Sequence, residues 1–195
     1  MNVQVDRAGA HGFRPLAGRA PLLRFALTSS IIATDSDGIR RLPATCEDRA
    51  KLIWFLRHGD AEKSEGEDAA RRLTEKGRRQ ARAAGEALGS LGIELEACLT
   101  SSKLRALETA QIACQARGIE PEETQALTGG DFDPSALVAG RGEALLVGHE
   151  PDFTRALQAA TGARCELKKG GLAAIEGSVL VALFRPVDLK RIAGG

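Results

Sequence analysis

The feature that most constrains the fold is a short apolar run that recurs along the chain and each time gives way to polar residues or glycine. The three runs lie at 52–56, 97–100 and 144–147. Such runs are typical of buried strands, and strands that alternate with helices form parallel sheets. Two further runs, 172–175 and 178–184, predict an antiparallel hairpin with its turn at Glu176-Gly177. We therefore expect a three-layer α/β/α fold, with helices on both faces of a mostly parallel sheet.

Helix boundaries are indicated by residues with strong positional preferences. Thr74 is a predicted N-cap for a helix that Gly92 ends, and the pair Ser101-Ser102 is predicted to cap a helix that runs to about Arg117. A short helix is expected at 134–139 and a longer one at 151–161, while Pro186 is expected to end the last strand.

The first fifty residues differ from the remainder. They are rich in Gly, Ala, Arg and Pro and follow neither a helical nor a strand period. We expect 1–50 to be an irregular, poorly ordered extension, a weak targeting segment around 25–34, or sequence upstream of the true start. Residues 51–195 are expected to form the folded domain. No run reaches the roughly 18 apolar residues that cross a bilayer, so no membrane partner is expected.

The composition excludes several classes of partner. The net charge is +1, aromatic residues make up 4% of the chain and tyrosine is absent, which argues against a nucleic-acid surface. Cys46, Cys98, Cys114 and Cys165 have no metal or redox spacing, so neither a metal nor a cofactor is expected. Cys98 and Cys114 are interpreted as buried free thiols, which indicates a reducing, cytoplasmic setting.

Two of the three histidines follow predicted strands. His58 comes directly after the first run and beside Arg57, and His149 comes after the run at 144–147, whereas His11 lies in the irregular extension. A third strand end is followed by Arg105 in the first turn of a helix. That arginine could pair with Glu108 on the surface, or it could join the helix N-terminus in binding an anion.

Ligands of open α/β sheets bind at the carboxyl edge of the strands, where these side chains should meet. Two arginines and two histidines would form a cationic pocket, and its natural ligand is a phosphoryl group. Neighbouring arginines favour the neutral form of an imidazole, and a neutral imidazole is a competent nucleophile.

Four segments together resemble the histidine phosphatase superfamily, which has the phosphoglycerate mutase-like fold. They are Arg57-His58-Gly59-Asp60-Ala61, Leu73-Thr74-x-x-Gly77, the later run Ser-x-x-x-Arg105-Ala-x-x-Thr-Ala, and Gly148-His149-Glu150-Pro151. The short core is most similar to the phosphohistidine phosphatase branch that includes SixA. Ser102 stands where that branch usually has proline, and the short, Gly-rich segment 128–143 leaves no room for the insertions of the mutases.

The resemblance implies a metal-independent phosphatase. His58 would be the nucleophile that becomes phosphorylated, Arg57, Arg105 and His149 would bind the phosphoryl group, and water would release phosphate. Glu150 is the first candidate for a general acid, although it could equally be a carboxylate that complements its helix dipole. Asp60 and Glu62 are the other candidates.

The implied partner is a phosphoprotein that carries phosphohistidine. A small phosphorylated molecule as substrate, or a non-catalytic phosphate-binding module, remains the alternative.

Overall fold

The protein is described by a computed structural model that covers residues 51–63 and 67–194, and the predicted extension 1–50 lies outside these residues. Its centre is a six-stranded sheet in the order β3-β2-β4-β1-β5-β6. The strands are β1 (Leu52–Arg57), β2 (Ala97–Thr100), β3 (Glu122–Glu123), β4 (Ala144–Gly148), β5 (Leu172–Glu176) and β6 (Val179–Phe184).

Strand direction confirms the mostly parallel sheet. β1 and β2 both pair with β4 in parallel, and β3 pairs in parallel with β2. β5 runs antiparallel to β1 and forms the expected hairpin with β6. Gly177, in the tight turn of this hairpin, has a left-handed φ of 55°. The carboxyl ends of β1, β2 and β4 therefore meet at one edge of the sheet.

Helices cover both faces of the sheet, which confirms the three layers. They are α1 (Glu75–Ser90), α2 (Leu104–Cys114), α3 (Pro134–Leu137), α4 (Asp152–Thr161) and α5 (Pro186–Ala193). Helices α1, α2 and α5 pack in one apolar cluster with alternate strand residues such as Trp54 and Leu56. The residues between them, such as Phe55, pack with α4 in a second cluster on the other face. This alternation follows from the two-residue period of a strand.

The buried thiols are confirmed as well. Cys98 and Cys114 are free and buried in the first of these clusters. Cys165 is free and half-buried, whereas Cys46 lies outside the described residues.

Three elements differ from the sequence predictions. The helix expected from Ser101-Ser102 begins at Leu104, with Lys103 as N-cap and no capping bond from its side chain, and the Ser101 hydroxyl contacts His149 and the Lys103 amide. Pro186 begins α5 as well as ending β6, since proline is favoured in a first helical turn. The two-residue strand β3 was not predicted, because so short an edge strand has no periodic signal.

Other boundaries agree closely with expectation. Thr74 caps α1 by accepting a hydrogen bond from the Gly77 amide, and Gly118 takes the left-handed conformation at the end of the turn that follows α2. Over the ranges that the structure describes, no helix is both long enough and apolar enough to span a bilayer.

Candidate active site

His58 stands at the carboxyl end of β1, in the middle of the sheet. The residue is 7% exposed, and its Nδ1 lies 2.7 Å from the carbonyl oxygen of Gly59. A carbonyl oxygen can only accept, so Nδ1 carries the proton and Nε2 keeps a free lone pair. Burial, together with the nearby Arg105, Arg57 and Lys169, lowers the pKa of His58 to about 4, although the hydrogen bond to Gly59 acts in the opposite direction. The imidazole is therefore neutral near pH 7, with Nε2 available as a nucleophile.

The loop that carries His58 is held by close backbone contacts. A Cβ at Gly59 would come within 2.6 Å of the Gly77 carbonyl oxygen in α1, and a Cβ at Gly77 would collide with the Asp60 carbonyl. The Gly59 amide donates to Thr109 Oγ1 at 3.1 Å, and Thr109 in turn donates to the Arg105 carbonyl at 2.6 Å. Glycines 59 and 77 thus allow α1 and α2 to fix the position of His58.

His149 follows β4 and faces His58, with the two ring centroids 5.0 Å apart. Its Nε2 lies 2.9 Å from Ser101 Oγ, which also accepts the Lys103 amide at 3.3 Å. The hydroxyl that accepts from Lys103 has its own hydrogen to donate, and donation of that hydrogen to Nε2 would place the His149 proton on Nδ1. Burial lowers the pKa of His149 to about 3, helped by the proximity of His58, Arg105 and Lys103. His149 is therefore neutral near pH 7, and with Ser101 donating to Nε2 its Nδ1 would be a hydrogen-bond donor.

The two arginines are held by backbone carbonyls. Arg57 Nη1 donates to the Leu167 carbonyl at 2.6 Å, and Arg105 Nη1 donates to the Asp68 carbonyl at 2.6 Å. Arg105 is 6% exposed and also pairs with the Asp68 carboxylate at 3.0 Å. Of the two interpretations of Arg105, the surface pair with Glu108 does not form, because Glu108 pairs with Arg72 and Arg78.

Three buried donors in this pocket have no hydrogen-bond partner within the described ranges. They are Arg57 Nε, Arg105 Nε and His149 Nδ1. Leaving a buried donor unpaired costs about 1 to 3 kcal/mol. Both arginines lower the pKa of His58, and the His149 ring centroid lies 5.0 Å from that of His58, so all three residues surround His58. Arginine N–H groups are strong donors to the oxygens of a phosphoryl group, so this pocket suits an oxyanion.

The three candidate acids lie in different settings. Both carboxylate oxygens of Glu150 accept backbone amides, from Leu167 at 3.0 Å and from Thr154 at 3.2 Å. Asp60 pairs with Lys169 at 3.1 Å, and that contact holds the pKa of Asp60 below its usual value. Glu62 is exposed. The structure thus brings Arg57, His58, Arg105 and His149 together, whereas the Glu150 carboxylate is engaged with backbone amides.

Three residues around the pocket were given no role there by the sequence analysis. They are Ser101, Asp68 and Lys169. Asp68 pairs with Arg105, Arg71 and Lys103, and these cations hold the pKa of its carboxyl far below the usual range. Its segment has no periodic pattern, and its contact with Arg105 spans 37 residues of chain. The position of Ser101 directly after a strand was a usable signal, but it was interpreted as a helix cap.

A metal site is not evident in the part of the chain that is described. Within 51–63 and 67–194, no group of three or more His, Cys, Asp or Glu side chains is arranged to hold a metal ion.

Comparison with known proteins identifies the family. Residues 53–135 match the family model of the histidine phosphatase superfamily (branch 1). An uncharacterized protein of Picosynechococcus sp. is 35% identical over 134 residues, which are 62% of this chain and 81% of that protein. The chain belongs to the histidine phosphatase superfamily.

Solved structures share the fold. The protein histidine phosphatase SixA complexed with tungstate superposes with a TM-score of 0.62 at 21% identity, over 71% of this chain and 99% of that one. The alpha-ribazole phosphatase of Shigella flexneri superposes with a TM-score of 0.56 at 15% identity, over 69% and 96% of the two chains. These similarities confirm the expected phosphoglycerate mutase-like fold.

Proposed function

We propose that this protein is a phosphatase of the SixA-like branch that removes the phosphoryl group from phosphohistidine on a protein, through a phosphorylated His58. The observation that carries the proposal is the geometry of His58. Its neutral ring has Nδ1 bonded to a carbonyl and Nε2 free, beside three buried donors without partners.

The reaction takes place in two transfers. In the first, His58 Nε2 attacks phosphorus, the new P–N bond forms, and the P–N bond to the substrate imidazole breaks. Arg57, Arg105 and His149 donate to the phosphoryl oxygens, whose charge they stabilise in the transition state. In the second, water attacks the phosphorus on His58: a P–O bond forms, the P–N bond to His58 breaks with its electron pair returning to Nε2, and the water proton passes to solvent as inorganic phosphate is released. The His58 Nδ1–H bond to Gly59 orients the ring in both transfers.

The setting of the acidic residues supports phosphohistidine over an alkyl phosphate as substrate. An alkoxide leaving group needs a proton from an acid as its bond to phosphorus breaks. Glu150 accepts two backbone amides, and Asp60 and Asp68 are paired with cations that lower their pKa. The imidazole of phosphohistidine can be protonated from solvent before the bond breaks, so it leaves as neutral imidazole without an acid from the enzyme.

The test of the intermediate is transfer of label. A peptide with ³²P-phosphohistidine is mixed with the full-length protein and quenched in alkaline denaturant, in which phosphohistidine is stable. Wild type is expected to retain base-stable, acid-labile label, and H58A none. Equal labelling of wild type and H58A would disprove the proposal.

A substrate panel tests the leaving group. The phosphohistidine peptide is expected to be hydrolysed with a higher kcat/KM than sugar phosphates or nucleotides. A preference for the small monoesters would support the small-molecule alternative instead. Phosphate binding without turnover of any substrate, including an aryl phosphate, would indicate a non-catalytic module.

We also place this activity in a reducing compartment such as the cytoplasm. The proposal is supported by the free thiols of Cys98, Cys114 and Cys165.

A further inference from the structure

A basic groove lies between helices α1 and α5, outside the pocket around His58. It has a volume of about 510 Å³. Lys76, Arg79 and Arg82 line it from α1, and Lys190 lines it from α5. Its apolar lining includes Ala83 and Val187, and the Val187 side chain is 46% exposed.

The cations of this groove lack acidic partners. All four are exposed, and none forms an ion pair within the residues described. Glu86 is the one acidic residue of the described chain that lines the groove. Some other surface arginines are paired, as Arg141 is with Glu122 and Arg185 with Asp188, whereas the exposed Arg164 and Arg191 form no ion pair within the described residues. Like charges one turn apart on a helix repel, so a bound anionic partner would stabilise the row of cations on α1.

One residue of the groove is bonded to the loop that carries the nucleophile. Gln80 lines the groove, and its Oε1 accepts the Asp60 amide at 2.8 Å, two residues after His58. Its Nε2 donates to the Lys169 carbonyl at 3.0 Å, and Lys169 is one of the cations that act on His58. The Gln80 end of the groove is therefore close to the His58 loop, so the residues that flank a phosphorylated side chain at His58 are the part of a protein substrate nearest to the groove.

We propose that this groove binds an acidic segment next to the phosphohistidine of the protein substrate, and this inference rests on the proposed function. From Lys76 to Arg82 the helix rises about 9 Å, which about three extended residues span. Carboxylates at alternate positions can reach these cations while apolar side chains contact Ala83 and Val187. The groove has no aromatic lining on which bases could stack. It is also concave, unlike the surface that a flat membrane would contact.

The test compares two synthetic phosphohistidine peptides that differ only in three flanking residues, glutamates in one and lysines in the other. Each exposed ion pair changes affinity by about two- to fivefold. Wild type is therefore expected to have a kcat/KM about tenfold higher for the glutamate peptide than for the lysine peptide, because its KM for the glutamate peptide is lower. R79E/R82E is expected to abolish or reverse this preference and to leave hydrolysis of an aryl phosphate unchanged. R164E/R191E makes the same change of charge at exposed residues outside the groove and is expected to retain the preference.

A binding measurement separates this inference from the proposed function. Fluorescence anisotropy of an unphosphorylated glutamate peptide on the full-length protein is expected to show binding that R79E/R82E removes, whether or not turnover occurs. Equal kcat/KM for the two peptides, or a preference that R79E/R82E leaves intact, would overturn the inference. Binding of single-stranded RNA or anionic vesicles in place of the peptide would also overturn it. Absence of turnover together with intact peptide binding would instead count against the phosphatase proposal alone.

Discussion

Substitution of His58 by glutamine should change how the stability of the protein depends on pH. The pKa of His58 falls from 6.5 to about 4 on folding, chiefly through burial. Above pH 6.5 both states are neutral, so the histidine contributes nothing to the pH dependence. As pH falls below 6.5, His58 binds a proton in the unfolded chain, whereas in the folded chain it remains neutral until about pH 4. The wild type should therefore lose about 1.4 kcal/mol per pH unit over this window, or about 3 kcal/mol in total.

Urea unfolding provides the assay, because Trp54 is the single tryptophan of the chain and is buried. The free energy of unfolding is measured by Trp54 fluorescence in phosphate-free buffers between about pH 7.5 and 4.5, for wild type and H58Q. The wild-type value minus the H58Q value should fall by about 2 to 3 kcal/mol across that range. Groups common to both proteins, including His11 and the carboxylates, cancel in this difference.

A difference that stays constant between these pH values would refute the reasoning, since it would place the His58 pKa in the folded protein near 6.5. H149Q provides a second comparison. Burial also lowers the pKa of His149, to about 3, so this variant should give a change of the same sign.

Three further predictions concern residues around the pocket. Gly77→Ala should lower the free energy of unfolding by about 2 kcal/mol, because its methyl group would meet the backbone of the His58 loop. Gly89→Ala, in the same helix but next to only a flexible arginine head, should raise it by about 0.5 kcal/mol. Ser101→Ala should lower kcat/KM about tenfold, because the His149 tautomer loses its partner, whereas Ser102→Ala should change it little. Glu150→Gln should lower the free energy of unfolding by about 1 kcal/mol and should lower kcat less than fivefold, since the Glu150 carboxylate accepts hydrogen bonds from two backbone amides.

A specific result would contradict each of these three predictions. Equal stability of the two glycine variants in thermal unfolding would show that the close approach at Gly77 is not rigid. Equal kcat/KM for the two serine variants would remove the role of Ser101. A loss of kcat above about a hundredfold in Glu150→Gln, with the basic limb of the pH profile displaced, would restore Glu150 as the general acid.

The layered fold followed closely from the sequence, because burial in a strand or helix leaves a local period. β1, β2 and β4 lie within a residue of the expected bounds, and Thr74 caps α1 as predicted. The elements that were not predicted are those without such a period. β3 has two residues, and α5 buries one, Leu189, so neither repeats a pattern long enough to be recognised.

The sequence by itself determined that two arginines and two histidines follow strand ends, and that those strands are parallel. These two facts bring Arg57, His58, Arg105 and His149 to one edge of the sheet, since parallel strands share their carboxyl edge. Their grouping is therefore a property of topology, which local patterns encode.

The tertiary structure alone decided what each side chain contacts there. Asp68 meets Arg105 across 37 residues, Ser101 meets His149 across 48, and Leu167 meets Arg57 across 110. Hydrogen bonds between such distant residues depend on distances of a few tenths of an ångström, which no local pattern specifies. The neutrality of His58, the tautomer of His149 and the backbone role of Glu150 all arise from these contacts, because burial and hydrogen bonding are properties of the assembled fold.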